Sequence, residues 1–129
     1  MVLVDTSIWI DFFQHPVSPQ ADRLEDLIRE HNRAVLCGII LQEVLQGIRD
    51  GRSHAATKDR LTKLPYLDMG KEAYLAAASL YRSLRAKGIT MPSADTSIAA
   101  LAIINHIPLY SKDEHFGIIA EHSGLVLYS

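Results

Sequence analysis

The sequence predicts an α/β protein, a three-layer α/β/α sandwich around a mainly parallel central sheet. Three observations predict it. Short continuous apolar runs, Val2-Leu3-Val4, Ala34-Val35-Leu36-Cys37 and Pro108-Leu109-Tyr110-Ser111, have the length and composition of strands buried on both faces. Stretches with helical spacing separate them, an alternation that right-handed crossovers build into a parallel sheet covered on both sides. The length of 129 residues suits one domain with a sizeable core, so residues 1–129 are expected to form a single unit.

Taken in order, the first strand ends at Asp5, and residues 7–13 carry the large apolar side chains of a helix packed on a sheet. Ser18 then reads as an N-cap with Pro19 in the first turn, and Leu24, Leu27 and Ile28 give the stripe of an amphipathic helix reaching His31. After the second strand, an apolar helix is expected over residues 39–48. A more polar helix follows, capped by Ser53, with Leu61 and Leu64 facing inward before Pro65 stops it. Pro65-Tyr66-Leu67-Asp68 reads as a short third strand.

Residues 71–87 form the longest predicted helix, with Tyr74, Ala77, Ala78, Tyr81 and Leu84 on one face and Gly88 just past its end. Ser93 is expected to cap a helix over residues 94–105, ahead of the strand at residues 108–111. A short helix near Phe116 and a last strand, Leu125-Val126-Leu127-Tyr128, close the pattern. No internal repeat, linker or low-complexity stretch interrupts it.

Apolar residues make up 48% of the chain, yet no run approaches the ~18 that a membrane span needs. Met1-Val2-Leu3-Val4 meets Asp5 at once, so neither signal peptide nor anchor is expected. The single cysteine, Cys37, has no partner for an internal disulfide and sits in an apolar run, which suits a reducing cytoplasm. A net charge of −2 gives no overall attraction to nucleic acid, so phosphate binding would need a local basic patch or bound metal ions.

Four carboxylates stand where chemistry is expected. Ligands of an open parallel sheet bind beyond the carboxyl ends of its strands. Asp5 lies at the end of the first strand and Asp113 two residues after Ser111. Glu43 interrupts the apolar helix Ile39-Ile40-Leu41-Gln42-Glu43-Val44-Leu45 on the face of Ile39, Ile40 and Gly47, and a carboxylate there needs a partner. Asp95 opens Asp95-Thr96-Ser97-Ile98-Ala99-Ala100. Each alone has a plain reading, as a cap, a turn residue, a half-exposed edge or a loop charge. As a set at one sheet edge they repel: two carboxylates ~4 Å apart cost about 4 kcal/mol at an effective dielectric of 20. Protonation or a bound cation relieves that.

All-oxygen ligation suits Mg²⁺ or Mn²⁺. Zinc would want histidine or cysteine, and the six histidines form no His-Glu-x-x-His helix and have no cysteine partners. Gly47-Ile48-Arg49-Asp50-Gly51-Arg52-Ser53 lacks the spacing and lysine of a phosphate-cradling loop. His115, the histidine near the cluster, reads as a surface or supporting residue in preference to a general base. Thr6, Ser7 and Ser111 can orient carboxylates or waters, or cap the following helices; Ser7 and Ser111 are assigned supporting roles.

These residues resemble the PIN-domain family, and within it the VapC-like toxins, across essentially the whole chain. Val4-Asp5-Thr6-Ser7-Ile8-Trp9-Ile10 is similar to the family's opening motif, and Gln42-Glu43-Val44-Leu45-Gln46-Gly47-Ile48 to its second acidic position. Asp95-Thr96-Ser97-Ile98-Ala99-Ala100 resembles its third motif and Ser111-Lys112-Asp113-Glu114-His115-Phe116 its fourth, departing at His115, where many members carry another acidic residue. The resemblance implies the α/β/α fold and Mg²⁺- or Mn²⁺-dependent endoribonuclease activity. It also implies homodimerisation and inhibition by a cognate antitoxin in a hetero-oligomer. Asp5, Glu43, Asp95 and Asp113 would then be both metal ligands and catalytic residues, holding one ion or two ~3.5–4 Å apart.

Arg49, Arg52, Lys58, Arg60 and Lys63, and further on Arg82, Arg85 and Lys87, read as solvated helix faces, or as guides for an RNA backbone. Trp9, Phe12 and Phe13 belong to the core or line a groove for an antitoxin helix. Two alternatives share the architecture. A receiver-like phospho-acceptor module needs an acidic pair before its aspartate and a late lysine, which Lys112 matches only in part. A catalytically silent binding module would use the acidic pocket for a partner's arginine.

Overall fold

A computed structural model describes residues 1–30 and 32–129. Among them the strands β1 (Val2–Val4), β2 (Ala34–Cys37), β3 (Tyr66–Leu67) and β4 (Leu109–Tyr110) alternate with the helices α1 (Thr6–Gln14), α2 (Pro19–Arg29), α3 (Gly38–Gln46), α4 (Gly51–Leu61), α5 (Lys71–Ala86), α6 (Ser93–Ile104) and α7 (Glu114–Glu121). The strands form one parallel sheet in the order β3-β2-β1-β4. Every residue of β1 and β2 is buried, which explains why both read as unbroken apolar runs: helices cover both faces, leaving no solvent side to demand alternation. The expected α/β class and parallel sheet are what the chain adopts.

Local chemistry sets most boundaries. Ser18 caps α2 as expected, accepting from the Ala21 amide at 3.0 Å with Pro19 behind it. The reading of α2 as far as His31 falls on a residue outside those described. Gly88, at φ 81°, ends α5 in a paired-bond turn: its amide reaches the Arg85 carbonyl at 2.9 Å and the Ile89 amide reaches Leu84 at 3.0 Å.

Three expectations need correction. Ser53 does not cap α4: Asp50 does, accepting from both the amide and the hydroxyl of Ser53 at 2.8 Å, because a carboxylate three residues earlier is already placed for that bond. Ser93 is the first helical residue of α6 and the uncapping Pro92 precedes it. The last strand shrinks to one parallel bridge, Leu109 to Leu127, since β4 has only two residues to pair with and Val126 stays exposed. The inward face of α5 is Ala73, Ala77 and Leu84, while Tyr74 is 53% exposed. The small alanines let α5 lie close on α6, and the tyrosines are left at the margin of that contact.

Helix α6 is buried continuously from Thr96 to Ala102, so it runs through the core instead of along its surface. The core around β1 is filled by Trp9, Ile8, Leu24, Leu36, Ile40, Ile98, Leu101 and Phe116. The Trp9 indole N–H donates to the Val4 carbonyl at 3.1 Å, which satisfies its one polar atom inside that core. Cys37 is buried, and burial pushes its thiol pKa up, as expected of an inert cysteine.

A buried acid on α1 was not foreseen. Asp11 is 6% exposed; its Oδ2 accepts from the Ser18 hydroxyl at 2.7 Å and its Oδ1 from Lys112 Nζ at 3.0 Å. The hydrogen bond from Ser18, then that from Lys112, holds its carboxyl below the ordinary 3.8. A depressed folded pKa contributes stability that is present above 3.8 and lost as the pH falls through the folded value. Asp11→Asn is therefore expected to be less stable than the wild type at neutral pH in chemical denaturation. The gap should narrow as the pH falls below 3.8; one that stayed constant into strong acid would assign the effect to packing.

Candidate metal centre

Chain order reverses between β1 and β4, since β2 and β3 lie on one side of β1 and β4 on the other. A crevice opens at the carboxyl edge of a parallel sheet at such a reversal, because the connections leave in opposite directions. The Asp5 amide donates to the Tyr110 carbonyl at 2.9 Å, extending the β1–β4 ladder by one bond. Asp5 and Ser111 therefore leave the sheet side by side.

Asp5 is 5% exposed and caps α1. Its Oδ2 accepts from the Ser7 hydroxyl at 2.9 Å, the Ser111 hydroxyl at 2.8 Å and, more weakly, the Ser7 amide at 3.4 Å. Among the described residues every donor to this carboxylate reaches Oδ2, so Oδ1 is left for solvent or an ion. Having donated to Asp5, the two hydroxyls accept from the next loop: Ser7 Oγ from the Lys112 amide at 3.2 Å and Ser111 Oγ from the Asp113 amide at 3.0 Å. Both serines thus tie Asp5 to the segment that carries Asp113. The plain reading of Asp5 as a helix cap is also true; one oxygen caps and the other does not.

Glu43, half-buried on α3, accepts from the Thr6 hydroxyl at 2.8 Å, so the residue after Asp5 provides the partner that a carboxylate on an apolar helix requires. Asp95 lies in the first turn of α6, where the helix N-terminus favours negative charge. Asp113 caps α7 by accepting from the His115 amide at 2.9 Å. The His115 ring returns toward both acids, with Nδ1 2.8 Å from Asp95 Oδ2 and 3.7 Å from Asp113 Oδ1.

Electrostatic strain is centred on Asp95. Burial raises its carboxyl pKa, the hydrogen bond from His115 opposes that, and the charges of Asp113 and Asp5 raise it further. His115 is pushed up in turn, first by its bond to Asp95 and then by the charge of Asp113. Donor atoms of Asp95, Asp113 and His115 lie within 4.8 Å of one another. Asp5 and Glu43 stand outside that tight group, Asp5 joined to it through Ser111 and Glu43 held by Thr6, the residue after Asp5. The donor set fits a hard divalent cation: the carboxylates of Asp95 and Asp113 converge, that of Asp95 is raised by burial and then by the charges of Asp113 and Asp5, and the Asp5 Oδ1 is not used in capping.

The Asp11–Lys112 pair flanks this edge. Lys112 sits between Ser111 and Asp113, and its ion pair pins the loop to α1. The clue in the sequence was Asp11 three residues after Ile8, on the buried face of α1. Because Lys112 is committed to Asp11, it does not stand over Asp5 as the lysine of a phospho-acceptor module would.

The PIN domain family profile matches residues 2–121. VapC ribonuclease Mb1587 of Mycobacterium bovis is 34% identical over 128 residues, covering 97% of this chain and 96% of the relative. Among solved structures, VapBC2 from Rickettsia felis bound to a DNA fragment from their promoter has a TM-score of 0.82 at 20% identity, over 99% of this chain and 98% of that one. VapBC-5 from Mycobacterium tuberculosis, a member of the VapBC family of toxin-antitoxin systems, has a TM-score of 0.71 at 18% identity, over 98% and 97%.

The hydrogen-bond hub predicts a separable effect. Ser111→Ala removes the donor to Asp5 and the acceptor for the Asp113 amide together. Calorimetric titration with Mn²⁺ is expected to show affinity lower by roughly 10–100-fold, the usual consequence of removing a group that orients ligands. Unchanged affinity would mean that the carboxylates hold their places without it.

Proposed function

We propose, from the premise that this chain belongs to the PIN-domain family, that it is a metal-dependent endoribonuclease serving as the toxin of a toxin–antitoxin pair. One observation carries the reading: the Ser111 hydroxyl joins Asp5 to the backbone of Asp113 at an edge where Asp95 already feels both charges. Relatives named as ribonucleases, matched along nearly their whole length, support RNA as the substrate.

Asp5, Glu43, Asp95 and Asp113 would hold Mg²⁺ or Mn²⁺ and form the catalytic set of a single domain spanning residues 1–129. When bound, such an ion stabilises negative charge on the phosphate and makes water nucleophilic at neutral pH. The protein's part is to hold the carboxylates in place. Ser7 and Ser111 engage Oδ2 of Asp5 and leave Oδ1 to the crevice, Thr6 orients Glu43, and the Asp11–Lys112 pair steadies the loop that carries Asp113.

Arg49 and Arg52 are candidates to guide an RNA backbone, since both are exposed and without an ion pair among the described residues. Two neighbours in sequence are engaged: Lys63 pairs with Asp59 at 3.1 Å, and Arg60 lies 5.4 Å and 5.6 Å from the ring centroids of Phe12 and Phe13. A cleft of about 210 Å³ lined by Trp9, Phe13, Ile28, Leu61 and Leu64 beside Arg60 suits an apolar helix of the cognate antitoxin. Trp9 itself is core, and Phe12 and Phe13 are half-buried at its margin. Likeness to the family supports a homodimer and a toxin–antitoxin hetero-oligomer. Among the described residues no helix is long and apolar enough to cross a membrane, and with the buried thiol of Cys37 we assign the protein to the cytoplasm.

Purified, antitoxin-free protein is expected to cut a pool of structured RNAs only with Mg²⁺ or Mn²⁺, and Asp5→Asn to lose about 100-fold or more of that activity. Folded, metal-loaded protein that cuts none of a varied pool would shift the reading to the silent binding module. A second experiment addresses RNA approach. Replacing Arg49 and Arg52 with alanine should weaken RNA binding and flatten the slope of log affinity against log salt by roughly 0.7 per lost single-strand contact. An unchanged slope would return both arginines to plain surface roles.

A further inference from the structure

The tight donor group at this edge contains a nitrogen. Carboxylate oxygens of Asp95 and Asp113 and the Nδ1 of His115 are mutually within 4.8 Å, and among the described residues this is the one such group of three acidic, histidine or cysteine side chains. An all-oxygen set would treat Mg²⁺ and Mn²⁺ much alike. An imidazole changes that balance, because Mg²⁺ binds oxygen and gives up water reluctantly, whereas first-row transition ions accept nitrogen with affinity rising from Mn²⁺ onward.

We propose that His115 is a ligand of the catalytic ion through Nδ1, together with Asp95 and Asp113, and that it makes this site prefer Mn²⁺ or a later first-row ion over Mg²⁺. The inference rests on the metal-dependent reading above and adds the identity of the ion. The spacing supports it. Two donors held at right angles ~2.1 Å from one ion stand about 3 Å apart, and donors at wider angles about 3.6 Å apart. The observed separations from Nδ1 are 2.8 Å to Asp95 and 3.7 Å to Asp113, so an ion can replace the hydrogen bond with little side-chain movement.

The ring is also held ready. Asp113 is the N-cap of α7 and accepts from the His115 amide at 2.9 Å, so the start of one helix sets the two donors relative to each other. Asp95 approaches from the first turn of a different, deeply buried helix. The His115 side chain is 42% exposed, so the donor group lies at the surface and an ion from solvent reaches it without opening the core.

The test uses calorimetric titration of the whole chain with Mn²⁺ and with Mg²⁺, and pulsed electron paramagnetic resonance of the Mn²⁺-loaded protein. His115→Gln keeps a polar side chain beside Asp95 and removes the ring nitrogen. The wild type is expected to bind Mn²⁺ at least about tenfold more tightly than Mg²⁺ and to show ¹⁴N coupling to the bound Mn²⁺. In His115→Gln the ¹⁴N coupling should vanish and the preference for Mn²⁺ collapse, with Mg²⁺ affinity changed by less than about twofold. Wild-type protein that binds Mn²⁺ without ¹⁴N coupling, or a variant with the preference intact, overturns the role of His115 and leaves the carboxylate site standing. Wild-type protein that binds neither ion overturns both readings.

Discussion

The bond from the Asp5 amide to the Tyr110 carbonyl governs the carboxyl edge of this sheet. It is the last rung between β1 and β4, and it fixes where the chain departs from each strand. Since β1 is central and fully buried, that departure point is as rigid as the core itself. One side chain further on, Asp5 and Ser111 face each other at 2.8 Å, and the loop to Asp113 hangs from the serine. A slip of one residue in this pairing would turn Leu3 and Val4 around in the sheet and separate the two sides of the crevice together. The hydrophobic register and the geometry of the site are thus one constraint.

Against that rigid frame the edge gathers charge that folding alone does not favour. Asp95 is raised by burial and by two neighbouring carboxylates, and among the described residues only His115 answers it directly. The surrounding groups moderate the tension without removing it. Ser7 and Ser111 solvate one oxygen of Asp5, Thr6 solvates one of Glu43, and the N-terminus of α6 favours charge on Asp95. Asp11, by contrast, is fully answered, with a hydroxyl on one oxygen and an ammonium on the other. A satisfied acid next to a strained cluster separates structure from chemistry: the first braces the loop, and the second holds negative charge that a cation would relieve.

The helices divide the remaining work by how they are covered. Helix α6 runs through the core and delivers Asp95 from a position that cannot shift without disturbing seven consecutive buried residues. Helix α3 carries Glu43 on a half-buried face, and α7 starts at the site itself, with Asp113 as its cap. Apolar surface that the fold leaves unpaired collects on α1 and α4 around Arg60 and, separately, beside Tyr74 and Tyr81. Neither area includes the carboxylates, so the unpaired apolar surface and the acidic edge lie on different parts of the same small frame.

The sequence by itself determined the class of fold, because buried parallel strands and the helices between them leave opposite periodicities that local composition records. It also marked Asp5, Glu43, Asp95 and Asp113 as candidates, since a carboxylate at a strand end or inside an apolar helix stands out without any structure. The helix caps were partly legible: Ser18 and Gly88 are where local rules put them, and Asp50 displaced Ser53 because two adjacent caps compete and the chain alone does not rank them. The apolar stripe of α5 was legible from its spacing, but a broad stripe does not say which part meets its neighbour: Ala73, Ala77 and Leu84 turn in, while Tyr74 stays exposed. Only the tertiary structure decided that Ser111 bridges Asp5 and Asp113, that Lys112 belongs to Asp11, and that His115 turns back onto Asp95. The contacts of Ser111 with Asp5, Lys112 with Asp11 and His115 with Asp95 join residues 20 to 106 positions apart, and a hydrogen bond across such a distance leaves no periodicity in the chain to read.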